Sequence, residues 1–557
     1  MDRRSFARAV LGTGVAALGA TSCETHKPTN QAADQNRRTS ESGAKPFELE
    51  EATIGDLQEG MQSGKYTSRS ITQMYLERIE SINKKGPALL AVLETNPDAL
   101  AIAEQLDAER KSKGPRGQLH GIPILLKDNV ATADRMTTTA GSLVLEGSIA
   151  SRDSFVAQKL REAGAVLLGK TNMTEFAGWR GVKPGLSGWC GRGWNAGKGG
   201  LCRNPYALDR NPGGSSSGSG VATASNLCTV AIGTETDGSI NGPSTVNGLV
   251  GIKPTVGLVS RSGLIPISHT QDTAGPMARS VRDAAIVLSA LAGVDPNDEA
   301  TRARHGTSHA DYTQFLDPNG LKGARIGVAR QFAGFNERVD QLMESAIDLM
   351  KRLGAEIVDP ANLTTMLRAP SWEKDIFAFE FKAGINAYLA RFGPSARVKS
   401  LKDIIDFNDR NAKNETPFAG QSDLMKSEAM GPLTSPEYQA LLAKKWRLSR
   451  QEGIDKVMKT HGLDALMAPH DRPATVIDLV NGGLFSDRGC ATPAALAGYP
   501  ILNVPMGSIH GLPVGISFFG LAWTEATLIR IAYAFEQATK SRRPPKFLPS
   551  VEVRTMA

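Results

Sequence analysis

The sequence predicts one large α/β domain around a mixed β-sheet, spanning residues 46–557. Two observations carry this expectation. Short apolar runs rich in Val, Ile and Leu alternate with longer segments whose apolar residues recur at helical spacing, the pattern of strands and helices stacked in layers. A length of 557 residues alone would suggest several domains, yet no internal linker or repeat interrupts the alternation.

The chain before residue 46 has another character. Arg3, Arg4 and Arg8 introduce a small-residue apolar run, 9–20, that is too short to span a bilayer. Residues 1–22 read as a bacterial export signal, and Arg3-Arg4-Ser5-Phe6 resembles the twin-arginine type, which exports folded proteins. Cys23 follows Ala20-Thr21-Ser22 as in a lipoprotein processing box. It is the candidate for lipidation and membrane attachment, with plain cleavage after Ala20 as the alternative. Residues 23–45, rich in Thr, Asn, Gln, Ser and charge, are expected to be a disordered tether.

Within the domain, Ile71, Met74, Tyr75, Ile79 and Ile82 predict an N-terminal helix, and 96–113 a second that stops at Gly114-Pro115. The run GIPILLKDN, 121–129, predicts an apolar strand ending at Lys127. A helix over 153–163 and a short buried strand over 165–169 follow. Residues 176–203 show no clear period and hold Cys190 and Cys202 among many glycines. Later, 280–293 reads as helix, 325–330 begins a strand, and the apolar face from Val339 to Leu353 makes a helix leading to a strand at 356–358. Residues 361–450 carry helical spacing and many charges, clearest at 401–407; the substrate-facing surface is expected there. Strands at 465–467, 502–504 and 514–519 return to the sheet, and a helix over 524–538 closes the fold.

The stretch around which this frame is organised is 213–239, GGSSSGSGVATASNLCTVAIGTETDGS. Its middle reads as a helix followed by a buried strand, which folds two glycine-framed serine clusters toward each other. Glycines there let backbone N–H groups turn inward, as an oxyanion hole requires. A flexible linker is the alternative for GGSSSGSG, but turn-forming Asn211-Pro212 precedes it and apolar residues follow. The run also fits G-x-S-x-G with Ser216 central; a nucleophile elbow needs a strand directly before it, and 206–211 does not read as one. Lys127 is either snorkelling from its strand end or buried near the serines.

GIPILLKDN, NPGGSSSGSG, GTETDGS, GLVGIKPTVGLVSRSGLIPIS and QDTAGPMARS, in this order, resemble the amidase signature family of Ser-Ser-Lys hydrolases over about residues 53–547. ETDGSI, SSSGSG and PVGISFFG are most similar to bacterial peptide amidases, which remove ammonia from C-terminal peptide amides. The resemblance implies an α/β/α sandwich with helices on both faces of the sheet. It also implies Ser239 as nucleophile, Ser215 as bridging serine and Lys127 as base. Backbone N–H groups at Thr236, Asp237 and Gly238 would serve the oxyanion, with Gly213, Gly214 and Ser216 in the supporting loop. Three positions depart from the family pattern: Asp237 replaces a usual Gly, Asn241 a usual Arg, and Glu235 a usual Asp. Asp tolerates left-handed backbone, so the turn can survive. No cofactor or metal is implied; the partner is a small-molecule or peptide amide, and the expected state is a monomer.

An ordinary lysine, with a pKa near about 10.4, is protonated at neutral pH and cannot accept a proton. Burial must lower it by roughly three units for Lys127 to act as a base. In an oxidising compartment, lipidation of Cys23 would leave four cysteines; Cys190 and Cys202 are expected to pair, closing a short loop at a gain of about 3 kcal/mol. Cys228 reads as a small buried residue. The net charge of +7 becomes +5 without residues 1–22, too mild for nucleic acid, and no HExxH, CxxC or P-loop spacing occurs. His269, Gln271 and Asp272 are either loop polar residues or substrate contacts. Two other functions compete with an exported amidase. One is the glutaminase subunit of a tRNA-dependent amidotransferase, opposed by the export signal. The other is a lipid-anchored binding protein with a decayed site, opposed by intact Lys127, Ser215 and Ser239.

Overall fold

Eleven strands form one mixed sheet in the computed structural model, which describes residues 47–181, 186–192, 200–304, 309–365, 370–392, 396–415, 420–482 and 489–552. The expected export signal 1–22, Cys23 and the tether 23–45 lie outside the described residues. In chain order the strands are β1 (Val92–Thr95), β2 (Pro123–Lys127), β3 (Val166–Thr171), β4 (Val230–Glu235), β5 (Val250–Lys253), β6 (Thr273–Ala278), β7 (Arg325–Val328), β8 (Glu356–Val358), β9 (Ala465–Pro469), β10 (Ile501–Ile509) and β11 (Leu512–Phe519). Across the sheet they run β1-β3-β2-β4-β6-β5-β10-β11-β9-β7-β8. Parallel pairing joins β2 to β3 and β4, and β7 to β8 and β9; the other pairs are antiparallel.

Both faces are covered, and the strands show why. Successive side chains of a strand point to opposite faces. On β9, Ala465 and Met467 join the main core while Leu466 and Ala468 join a second one; on β11, Phe518 and Phe519 divide the same way. The main core takes the apolar faces of helices Ile54–Gln62, Ser68–Arg78, Ala99–Lys113, Val281–Leu291, Glu337–Arg352 and Glu525–Thr539. The second takes helices Asp455–His461 and Ala491–Ala497. A third, around Phe176, Trp179, Phe377 and Phe381, seats helices Glu373–Phe392, Leu401–Arg410 and Ser422–Glu428. Helix starts follow local chemistry: Thr53 and Asp56 make reciprocal cap hydrogen bonds, as do Ser400 and Asp403, and Gly114 stops the helix before it at φ 83°.

One expectation is corrected here. Cys190 and Cys202 are buried thiols and do not form a disulfide. An antiparallel bridge pairs Trp189 with Leu201, Cys190 N–H donates to Gly200 O at 3.0 Å, and Cys202 N–H donates to Gly188 O at 3.0 Å. The two cysteines are therefore diagonal rather than opposed. Diagonal neighbours sit about 7–8 Å apart, beyond comfortable disulfide reach. Burial, and then the neighbouring Cys190, push the Cys202 thiol upward. Cys228 is fully buried, as expected.

Candidate active site

Strand β2 is buried along its whole length because it lies between β3 and β4, and this carries Lys127 into the interior rather than to a snorkelling position. Its Nζ donates to Ser215 Oγ at 2.8 Å, to Thr234 Oγ1 at 2.9 Å and to Thr234 O at 3.1 Å. Desolvation lowers its pKa to about 7, against the opposing pull of the Asp272 and Glu235 charges. Asn129 Nδ2 also donates to Thr234 Oγ1, at 3.0 Å, and so steadies the acceptor beneath the lysine.

Ser215 precedes the buried helix Ser217–Ala224, and Ser216 fixes its position. Ser216 Oγ donates to Thr234 O at 3.0 Å and accepts from Thr234 N–H at 3.2 Å, tying the serine loop to β4. Ser216 N–H in turn donates to Ser239 O at 3.2 Å. These bonds bring the two serine clusters side by side, and the helix-then-strand expected between them is present as Ser217–Ala224 and β4. Ser216 thus acts as a strut between the serine loop and β4.

Ser239 sits between the end of β4 and the helix Asn241–Val246, at 8% exposure. Gly238 before it has φ 76°, the left-handed backbone the turn requires. Asp237 therefore does not need that conformation. The two other departures form a linked pair: Glu235 Oε2 accepts from Ile240 N–H at 2.7 Å, Asn241 N–H at 2.9 Å and Asn241 Nδ2 at 3.1 Å. The turn carrying Ser239 is closed by this carboxylate.

Thr236 and Asp237 are held by side chains from distant segments. Thr236 Oγ1 donates to Asp272 Oδ1 at 2.6 Å, Gln271 Nε2 to Thr236 O at 3.2 Å, and Thr492 Oγ1 to Asp237 Oδ2 at 2.8 Å. Gln271 and Asp272 thus support the turn, whereas His269 is half-exposed beside Glu380. A cavity of about 230 Å³ opens on this turn, lined by Gly213, Gly214, Asp237, Gly238, His470 and Thr492. Sequence reasoning misses Thr234, His470 and Thr492. Thr234 lies within GTETDGS and is legible there; the others come from distant segments without a local signal. No cluster suited to a metal ion occurs among the described residues.

The site thus brings together a buried lysine of lowered pKa, a serine hydrogen-bonded to it and a second serine on a glycine turn. The chain belongs to the amidase family: the family model, described as Amidase, matches residues 70–529. It is a hydrolase acting on amide C–N bonds. A protein of Arabidopsis thaliana carrying the name Probable amidase is 41% identical over 511 residues, covering 90% of this chain and 93% of that protein. The crystal structure of the native peptide amidase from Stenotrophomonas maltophilia is 47% identical with a TM-score of 0.83, covering 90% of this chain and 100% of that one. A glutamyl-tRNA(Gln) amidotransferase subunit from Caldanaerobacter subterraneus is 32% identical, covering 90% of this chain and 99% of that protein. The reading as a binding protein with a decayed site gives way to an enzyme.

Proposed function

We propose that this amidase removes ammonia from C-terminal peptide amides through an acyl-enzyme on Ser239. The observation that carries the reading is the 2.8 Å hydrogen bond between buried Lys127 and Ser215. Neutral Lys127 takes the proton of Ser215, Ser215 takes that of Ser239, and Ser239 Oγ attacks the amide carbonyl. N–H groups of the 236–238 turn stabilise the oxyanion. The same relay, run in reverse, protonates departing ammonia, and water then hydrolyses the acyl-enzyme.

The peptide amide as substrate is supported by the likeness to the Stenotrophomonas peptide amidase. Glutaminase work within a tRNA-dependent amidotransferase is the second reading, favoured by the amidotransferase relatives. Ammonia release from peptide C-terminal amides, free glutamine and asparagine, and aliphatic and aryl amides, with wild type beside Ser239→Ala, decides between them. Release from peptide amides that the mutant lacks is expected; release from free glutamine alone sinks the peptide reading. We further propose export by residues 1–22, lipid attachment through Cys23, tethering by 23–45 and action as a monomer facing the periplasm. Membrane fractionation should find wild type with the membrane and Cys23→Ala in the soluble fraction; an identical distribution would refute the anchor.

A further inference from the structure

His470 follows β9 and lines the cavity that opens on Gly213, Gly214 and Gly238, the glycines leading into Ser215 and Ser239. Its backbone is locked between neighbours. His470 N–H donates to Gly515 O at 2.9 Å, and Cys490 N–H donates to His470 O at 3.1 Å. The ring is 2% exposed, and its Nδ1 lies 2.8 Å from Ser517 Oγ and 3.9 Å from Cys490 Sγ. Nε2 has no partner among the described residues. With Nδ1 committed to Ser517 on β11, Nε2 is the ring nitrogen left to the cavity. We propose that His470 is a specificity-determining residue whose Nε2–H donates to the backbone carbonyl before the last residue of a peptide amide.

The neighbours of the ring decide where its hydrogen sits. Ser517 and Cys490 are fully buried, and each carries a hydrogen that needs an acceptor. A buried hydroxyl hydrogen left unpaired is costly. Nδ1 is the acceptor within reach of both, so it carries no hydrogen and Nε2 does. Burial also lowers the His470 pKa to about 4, which keeps the ring uncharged at neutral pH. A single uncharged donor in the cavity calls for an uncharged acceptor on the substrate. The carbonyl under attack is met by the N–H groups of the 236–238 turn, so the next acceptor along a peptide is the carbonyl of its last peptide bond. Simple aliphatic and aryl amides have no such group. The inference rests on the peptide-amide reading and names the contact by which that substrate is told from simpler amides.

Ammonia release from N-acetylphenylalaninamide and from hydrocinnamamide isolates this contact, because the two share side chain and carboxamide and differ only in the acetylamino group. Wild type should favour the first. His470→Ala should lower kcat/KM for it by about tenfold, mostly through KM, and leave hydrocinnamamide little changed. His470→Gln, which presents an N–H at similar reach, should recover part of the loss. Ser517→Ala removes the hydroxyl that fixes the tautomer and should weaken the same preference with His470 intact. Circular dichroism identifies the variants that fold. Nitrogen NMR of the wild-type imidazole depends on no variant and should find the hydrogen on Nε2. Equal losses on both amides in the folded variants, or the hydrogen on Nδ1, overturns the proposal. Wild type that cleaves hydrocinnamamide or free glutamine but not N-acetylphenylalaninamide overturns instead the peptide-amide reading.

Discussion

Lys127 concentrates the chemistry at the scale of a single residue. On the proposed mechanism Lys127 is the base, and a pKa of about 7 leaves it protonated below that value, so kcat/KM should fall tenfold per pH unit on the acid side. Lys127→Met should lower kcat/KM by about 10²–10⁴-fold and remove that limb; a variant that keeps both would exclude the lysine as base. The sign for stability is opposite to that of a paired histidine. Between about 7 and 10.5 the unfolded chain holds a proton that folded Lys127 has released, so this residue's burial cost is largest below 7 and fades as pH rises. Glu235 offers a second test. Its three acceptor contacts close the turn that bears Ser239, so Glu235→Ala should cost more than about tenfold in kcat, and Glu235→Gln less. Equal activity in both would remove its role. The sequence exposed Lys127, both serines and the Glu235 and Asn241 departures, because all lie in contiguous motifs. Thr492 stayed hidden because only tertiary folding brings it to Asp237.

At the scale of elements, the glycine-serine run is the opposite of a linker. Helix Ser217–Ala224 is buried on every residue and packs against the sheet through hydrogen bonds from Ser219 Oγ to Ile232 O at 2.9 Å and from Gly218 N–H to Asn172 O at 2.8 Å. A Cβ on Gly218 would strike the backbone oxygen of Ala91 and the backbone nitrogen of Asn172. Gly218→Ala should therefore destabilise the fold by about 1–3 kcal/mol or more, seen as a lower thermal midpoint; an unchanged midpoint would mean this approach is looser than described. Periodicity located helices such as Ala99–Lys113, Glu337–Arg352 and Glu525–Thr539 and strands such as β8 and β11 to within a few residues, but within 361–450 it singled out only 401–407 and left the longest helix, Glu373–Phe392, unplaced. It did not reveal β6, whose sequence TAGPMA places Pro276 opposite Ile232 near the middle of the sheet. A proline gives no N–H to the ladder, which is why such a run does not read as a strand. The Cys190–Cys202 expectation failed for a related reason: loop length says nothing about whether two residues end up opposed or diagonal.

At the scale of the whole molecule, the sheet order explains the site. β2 and β4 are adjacent and parallel, so their C-terminal ends deliver Lys127 and the Thr234–Ser239 turn to the same edge. The helix Ser217–Ala224 starts beside Ser215 and carries the chain away from that edge, and β4 returns it there. Helix Glu373–Phe392, from the charged segment where the substrate-facing surface is expected, reaches the turn through Gln271, whose Nε2 donates to both Glu373 Oε1 and Thr236 O. The central claim is that Ser239 carries the acyl group. Rapid acid quench of the enzyme with a peptide amide, followed by intact mass and peptide mapping, tests it most directly. A mass increase equal to the peptide acyl group, mapped to Ser239 and missing in Ser239→Ala, is the predicted result. An adduct on another residue, or turnover with no adduct at any quench time, would contradict the account.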